Sequence, residues 1–320
     1  MPRKKPLIIG IATVDAVART VEAFPAPGGL RFFDELTVAA GGCAVNTAMA
    51  LARLGIGSDV VTRVGRDPHG DFVVGELERL GVDSAGVVRD EERGTSFSFV
   101  AVLGSGERSF LHTAGANSRI DAADVAGAAL GGRPLVFIAG VMLMDRLDGE
   151  PAAGILARAR ESGAITMMDT VFVEGVPRAE WVRRVRPVLG QLDYFVPSLP
   201  EALAITGEDE PGEAARLLRR AGVRRVVVKL GERGSLCLDE DGRETHVAPF
   251  RVQRVVDATG AGDCWCAGFI AGLLAGEPFV RAARLGNAVA ALGITGAGAT
   301  GAVPALAEVQ TFMDRAPTPG

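Results

Sequence analysis

The chain has 320 residues, 48% of them hydrophobic, which is enough apolar material for the full core of one large α/β domain. Its formal net charge is −5, so it lacks the basic excess expected of a nucleic-acid-binding protein. No apolar run approaches the roughly 18 residues that cross a membrane, and the apolar stretch after residues 1–6 is too short for a signal peptide. We therefore expect a cytoplasmic protein with neither a nucleic-acid nor a membrane partner.

Apolar runs of strand length alternate with helix-length segments along most of the chain. The predicted strands are residues 7–12, 59–64, 135–139, 165–169, 194–196, 226–230 and 252–256, with a late hairpin at 235–238 and 245–247. The predicted helices are residues 45–54, 70–80, 154–162, 179–188, 201–206, 213–221 and 279–294, the last being the final long helix. This alternation predicts a doubly wound, mostly parallel sheet.

Two segments, 16–40 and 94–112, do not fit the alternation. The first is broken by prolines and glycines, and in the second two short strands flank Gly104-Ser105-Gly106, which is a hairpin signal. Both segments predict short strands outside the main sheet. The pattern alone is equally compatible with ordinary surface hairpins.

The most informative stretch is Asp257-Ala258-Thr259-Gly260-Ala261-Gly262-Asp263, which is followed by an apolar run. The glycines predict a sharp turn, and Asp263 predicts the start of a buried helix. The backbone N–H groups of residues 260–263 would then face one point together with the positive end of the helix, which suits a phosphate. Asp263 could take a proton from a hydroxyl beside that phosphate. Read alone, the motif also fits Asp263 as a helix N-cap after a simple turn.

Residues 257–269 closely resemble the C-terminal signature of the ribokinase-like (PfkB) carbohydrate kinases, and Gly41-Gly42-Cys43-Ala44-Val45-Asn46 resembles their N-terminal Gly-Gly segment. The resemblance covers nearly the whole chain. It implies a single kinase domain over residues 1–320, in which segments 16–40 and 94–112 form a small β-sheet lid over a sugar. Because the lids of two subunits often pack together in this family, it also implies a homodimer.

The resemblance also implies roles for individual residues. The substrate hydroxyls would be held by Asp15, Gly41, Gly42 and Asn46. The nucleotide would contact Ser198, Lys229, Gly231 and Asn287. Glu201 would support Mg²⁺ through water, and Asp257 with the Thr259 carbonyl would hold a monovalent cation, so that potassium could activate the enzyme. Ser198 stands where the family commonly has asparagine.

The reaction implied is in-line transfer of the γ-phosphoryl group of ATP to a hydroxymethyl group of a small sugar. Asp263 would act as the base, and the backbone N–H groups of Gly260, Ala261, Gly262 and Asp263 would form the anion hole. A nucleoside kinase, a sugar-acid kinase and a non-catalytic nucleotide- or sugar-binding protein remain alternatives. Residues 169–173 lack the Asp-x-Asn-x-Arg pattern of kinases for 2-keto-3-deoxygluconate and fructose, which disfavours a sugar acid at that point.

Two other nucleotide-binding classes are disfavoured by the residues themselves. The stretch 296–301 matches G-x-G-x-x-G, but it follows a helix, and too few residues remain for the βαβ unit of a Rossmann dehydrogenase. A P-loop needs a glycine before its lysine, and no lysine of this chain follows a glycine.

Overall fold

The computed structural model describes residues 5–103, 108–128 and 130–315, and these residues contain thirteen strands and ten helices. The strands are β1 (Leu7–Gly10), β2 (Thr13–Arg19), β3 (Glu35–Gly41), β4 (Asp59–Gly65), β5 (Val87–Asp90), β6 (Phe97–Val102), β7 (Arg108–Thr113), β8 (Leu135–Val141), β9 (Ile165–Thr170), β10 (Tyr194–Phe195), β11 (Arg225–Lys229), β12 (Ser235–Leu238) and β13 (Glu244–Val247). The helices are α1 (Cys43–Arg53), α2 (Pro68–Arg79), α3 (Ala122–Ala126), α4 (Glu150–Glu161), α5 (Arg178–Leu189), α6 (Leu199–Thr206), α7 (Pro211–Arg220), α8 (Ala261–Leu274), α9 (Phe279–Gly293) and α10 (Leu306–Arg315).

Nine of the described strands form the main sheet, in the order β13-β12-β11-β10-β9-β8-β1-β4-β5. The strands from β11 to β5 pair in parallel, and β12 and β13 add an antiparallel edge. Helices cover both faces, because successive residues of the central strands alternate between two separate cores. Ile8 packs into one core with α1, α8 and α9, whereas Leu7 and Ile9 pack into the other with α4 and α5. The predicted doubly wound sheet is confirmed.

The chain leaves the main sheet immediately after β1. Asn117, which is fully buried, accepts a hydrogen bond from Ala12 N and donates one to Ala12 O at this break. The strand predicted at 7–12 is therefore interrupted, and the chain continues as β2 in a second sheet of order β3-β2-β6-β7. The parallel pairing of β2 with β6 joins the segments 16–40 and 94–112. The predicted turn at 104–106 and the tail from 316 lie outside the described residues.

Two sequence predictions near the C-terminus are wrong. No strand forms at 252–256, because most of these residues are exposed and the N–H groups of Val256 and Asp257 donate to the carbonyl of Ile294 at the end of α9. The predicted final long helix, α9, is followed by α10, which buries Val309 and Met313. In the described part of the chain, no helix is both long and apolar enough to cross a membrane.

Candidate active site

Asp263 lies in the first turn of α8, and this helix begins at Ala261 rather than at Asp263. The N-cap residue is Gly260, whose φ of 70° is left-handed backbone that favours glycine. A Cβ atom at Gly260 would lie only 2.5 Å from the Cβ of Ala299, so close packing also requires glycine at this position. Asp263 is therefore inside the helix and is not its N-cap.

The Asp263 carboxyl group is 9% exposed and accepts a 2.8 Å hydrogen bond from Asn46 Nδ2. Burial raises its pKa from 3.8 to about 6, although the Asn46 donor and the nearby Lys229 ammonium oppose this shift. Asn46 Oδ1 is buried and has no hydrogen-bond partner among the residues that the structure describes. The vacant amide oxygen can accept a hydrogen bond from one substrate hydroxyl, and the carboxylate of raised pKa can receive the proton of a neighbouring hydroxyl.

The predicted substrate residues come together where the small sheet meets α1. A Cβ atom at Gly41 would lie 2.1 Å from Asp15 Oδ2, and one at Gly42 would lie 2.5 Å from the carbonyl oxygen of Ile11, so neither glycine can be replaced without a clash. Burial raises the pKa of Asp15, although the Thr13 hydroxyl donates to its Oδ1 at 2.9 Å. The charge of Asp15 also contributes to the raised pKa of Asp263, so the two carboxyl groups are neighbours.

Lys229, at the end of β11, lies opposite the start of α8. Its Nζ donates to Asp169 Oδ2 at 2.5 Å and would lie 3.4 Å from a Cβ atom built on Gly262. Burial alone would lower the pKa of this ammonium group, but the charge of Asp169, with smaller contributions that include Glu201, outweighs burial and raises it. A persistent positive charge therefore lies beside the helix N-terminus, where an anion is favoured.

Ser198 and Glu201 form a capping box at the start of α6. Glu201 Oε2 accepts hydrogen bonds from Ser198 N at 2.7 Å and from Thr170 Oγ1 at 2.9 Å. Burial, and then the charge of Asp169, raises the pKa of Glu201. An isolated bridge pairs Ser198 with Lys229. Ser198, Glu201 and Lys229, three of the residues predicted to serve the metal or the nucleotide, therefore form one largely buried cluster around Asp169.

Asp257, predicted as a cation ligand, is 2% exposed and forms an ion pair with Arg19 of β2. Arg19 Nη2 lies 3.3 Å from Asp257 Oδ2, and the backbone N–H groups of Thr259 and Gly298 also donate to this carboxylate. The guanidinium group of Arg19, from the small sheet, therefore forms an ion pair with the Asp257 carboxylate, which was predicted to bind a monovalent cation.

Gly231 and Asn287 have different surroundings. Gly231 follows β11 with a φ of 61°, and no atom lies within 4 Å of a Cβ atom built on it, so its backbone faces open space. Asn287 is buried; its Oδ1 accepts from Trp265 Nε1 at 2.8 Å, and its Nδ2 donates to the carbonyls of Val247 and Ala248. A hydrogen bond from Asn287 to a nucleotide would have to replace one of these, and its nucleotide role stays a prediction.

Sequence reasoning noted Asp169 at the end of a predicted strand, where ligands of such sheets bind, but gave it no role, and it missed Arg19. Asp169 ends a predicted strand, and its partner Lys229 is one of only three lysines in the chain, so a signal for the pair existed. No comparable signal exists for Arg19, which is 238 residues from Asp257 and reaches it only because of the direction of β2. No group of three or more His, Cys, Asp and Glu side chains suited to a metal ion occurs within the described ranges.

A helix N-terminus, a lysine and a buried carboxylate lie together here, an arrangement that suits the class of enzymes that transfer a phosphoryl group to a hydroxyl group. The model of the pfkB family of carbohydrate kinases matches residues 3–306, and the chain belongs to this family. It is accordingly a phosphotransferase that acts on an alcohol group.

Relatives and solved structures agree with this assignment. The chain is 27% identical to ribokinase of Haemophilus influenzae, over 98% of this chain and 100% of that protein. It is 30% identical to fructokinase-1 of Zea mays, over 87% of this chain and 89% of that protein. Ribokinase of Thermotoga maritima superimposes with a TM-score of 0.83 and 26% identity, covering 98% and 100% of the two chains. A ribokinase II of E. coli, solved with ATP and Mg²⁺, has a TM-score of 0.80, 24% identity and the same coverage.

Proposed function

We propose that this protein transfers the γ-phosphoryl group of ATP to a hydroxymethyl group of a small neutral sugar of the ribose or ketohexose type. One observation carries the proposal: the buried Asp263 carboxyl group, with its pKa raised to about 6, lies in the first turn of α8 and is hydrogen-bonded to Asn46. A general base is most effective when its pKa is near the working pH. The match to ribokinase and fructokinase sequences supports a neutral sugar.

The residues of the site have separate roles in holding the sugar, accepting its proton and stabilising the transferred group. Asn46, with its vacant Oδ1, and Asp15 hold the sugar so that one primary hydroxyl lies against Asp263, which accepts its proton. The N–H groups of Gly262 and Asp263 in the first turn of α8 face the transferred group, because helix N-terminal donors lack intrahelical partners. The predicted third donor of this turn, Ala261 N–H, donates to the carbonyl of Ala258 at 3.3 Å and would have to release it to join the anion hole. The ammonium group of Lys229 balances the charge that collects there.

The cluster around Asp169 fits a nucleotide with a hydrated magnesium ion. Asp169 and Glu201 supply negative charge, Lys229 supplies a positive group beside the anion hole, and Gly231 leaves room for a phosphate to approach the backbone. Magnesium keeps most of its waters and would be held by Glu201 through them. When bound, it neutralises phosphate charge.

Potassium activation, predicted from Asp257 and Thr259, remains a proposal. The Arg19 guanidinium already meets the charge of Asp257, so a potassium ion would have to displace it or share the carboxylate. Steady-state rates with and without potassium, in wild type and in Arg19→Met, test this point. Stimulation in both proteins would support a cation site, whereas stimulation only in the variant would show that Arg19 takes its place.

The small sheet is proposed to act as a lid and as a dimer contact. Strand register places Asp15 and Arg19 on its inner face, toward Asp263, and places Leu36, Val38 and Leu111 on the opposite, outer face. These three apolar side chains are 53%, 48% and 61% exposed, which suits an interface. Sedimentation should show a dimer that Leu111→Glu weakens and Thr113→Ala does not. A monomeric wild type would contradict the dimer, and a cytoplasmic location stays a prediction.

The direct test is an ADP-release assay over neutral sugars, sugar acids and nucleosides with Mg-ATP. Asp263→Asn is expected to reduce turnover at least a hundredfold, while Asp241→Asn, in the exposed turn between β12 and β13, should leave it unchanged. Turnover only on nucleosides or only on sugar acids would select those alternatives. ATP binding without turnover on any compound would favour the non-catalytic alternative.

A further inference from the structure

The inner face of the small sheet carries a polar row that begins at Asp15 and continues through two residues, Ser98 and His112, to which no role has been assigned. Asp15 on β2 pairs directly with Ser98 on β6, and Ser98 pairs with His112 on β7. Directly paired residues share one face of a sheet, so all three side chains project from the face that carries Asp15. Ser98 is buried, whereas His112 is exposed.

Hydrogen bonds connect the row. Ser98 Oγ lies 3.1 Å from His112 Nδ1, and strand pairing places Ser98 directly beside Asp15, so that its hydroxyl can donate toward the Asp15 carboxyl group. A carboxylate only accepts hydrogen bonds and a hydroxyl has one proton, so Ser98 uses its one proton to donate a hydrogen bond to ionised Asp15. Ser98 must then accept a hydrogen bond from His112 Nδ1–H. In the neutral ring this assigns the lone pair to Nε2, which becomes an acceptor.

The row faces the reacting groups. Asp15 neighbours Asp263, and Arg19, on the same face of β2, reaches Asp257 just before the anion hole. His112 stands two strands from Asp15, a backbone separation of about 10 Å. A pentose or hexose held by Asp15 at one end is long enough to lie over this row and to reach His112 with its other end.

We propose that His112, oriented by Ser98, is a specificity residue that accepts a hydrogen bond from a sugar hydroxyl remote from the one that receives the phosphoryl group. The inference rests on the proposed function and deepens it, because it selects a neutral polyol over a sugar acid or a nucleobase. A substrate carboxylate would meet an acceptor nitrogen and the negative charge of Asp15 in the same row. Although much of the His112 residue is exposed, the partial burial of its ring lowers its pKa despite Asp15, which favours the neutral ring.

The apolar residues of the small sheet agree with this selection in part. Phe97 lies on the opposite face, where its ring is 5.3 Å from that of His69, so it does not line the inner face. Phe110 shares the inner face with His112 and is 58% exposed, so it can cover the apolar side of a sugar ring. The polar row therefore binds hydroxyl groups, while Phe110 on β7 packs against the carbon atoms of the sugar ring.

The test compares a sugar with its deoxy analogues in wild type and His112→Ala. Binding of D-ribose, D-fructose and each monodeoxy form is measured by calorimetry with a non-hydrolysable ATP analogue, and kcat/KM is measured with ATP. Removing one particular hydroxyl should cost the wild type about tenfold in affinity and His112→Ala almost nothing, because its partner is already gone. Ser98→Ala should show a smaller version of this pattern, and Thr113→Ala, facing the other way on β7, should match the wild type.

The outcomes separate this inference from the proposed function. If His112→Ala loses as much as the wild type for every missing hydroxyl, the specificity role of His112 is overturned while the kinase assignment stands. If sugars bind with the expected pattern but no turnover occurs, the kinase proposal fails and the role of the row stands. A preference for nucleosides over free sugars that persists in His112→Ala, or no sugar binding at all, overturns the inference.

Discussion

Replacing Asp263 by asparagine should stabilise the folded protein while abolishing its activity. Burial raises the pKa of this carboxyl group from 3.8 to about 6, so folding disfavours its ionised form. Each pH unit corresponds to about 1.4 kcal/mol, so ionised Asp263 costs the fold about 3 kcal/mol at pH 8. Asparagine keeps an acceptor for Asn46 Nδ2 but carries no charge. The free energy of unfolding at pH 8 should therefore rise by about this amount.

The pH dependence gives the sign of this effect an independent check. A carboxyl group with a raised folded-state pKa causes no destabilisation below its unfolded value of 3.8 and full destabilisation above about 6. Urea unfolding of wild type and Asp263→Asn at pH 8 and pH 4 should therefore show a gain at pH 8 that is nearly absent at pH 4. A variant that is no more stable than wild type at pH 8 would refute the reasoning.

Asp90→Asn provides a matched control of opposite sign. Burial alone would raise the pKa of Asp90, but backbone donors, Arg63 and Arg119 outweigh burial and lower it to about 2. This carboxylate stabilises the fold above its unfolded pKa, and the stabilisation is lost as the pH falls toward about 2. Asp90→Asn should destabilise the protein at pH 8 by about 2 kcal/mol or more. Stabilisation by both substitutions would indicate a general charge effect.

Two further predictions concern the same site. In wild type, log kcat/KM should rise with pH up to about 6 and then level off, because Asp263 must be ionised to act as a base. In Asn46→Ala this rise should shift to a pH about one unit higher, since the carboxylate loses a hydrogen-bond donor. Thr47→Val is the control, because it removes a hydroxyl without a described partner from the same helix, and it should leave the pH profile unchanged. An unshifted profile in Asn46→Ala would contradict the role of the hydrogen bond. Lys229→Met should raise the KM for ATP and destabilise the fold at pH 7 by about 3–5 kcal/mol, because it leaves the Asp169 carboxylate buried and unpaired. Adding Asp169→Asn should restore much of the stability but not the activity, and equal instability of the single and double variants would show that the pair is not the cause.

The local sequence pattern was sufficient to predict those elements whose apolar residues are buried in the folded protein. Continuous apolar runs such as residues 135–139 became central strands because a parallel sheet covered on both faces buries every side chain of such a run. The 257–263 motif predicted a turn followed by a helix because glycine tolerates the left-handed backbone found at Gly260. The strand expected at 252–256 failed for the opposite reason, since its valines have no neighbouring strand to pair with.

The chemical state of the site depended on tertiary contacts that local sequence does not contain. Asp263 is a plausible base by spacing alone, but its raised pKa comes from burial and from Asp15, and its hydrogen bond comes from Asn46, 217 residues away in the chain. Lys229 acquires its place beside Gly262 only when β11 and α8 meet at one end of the sheet. The sequence by itself pointed to most of the candidate site residues, because residue type and turn propensity are local properties, but it gave no role to Asp169 or Arg19. Only the folded chain decided which charges are neighbours, because burial and distance are set by packing.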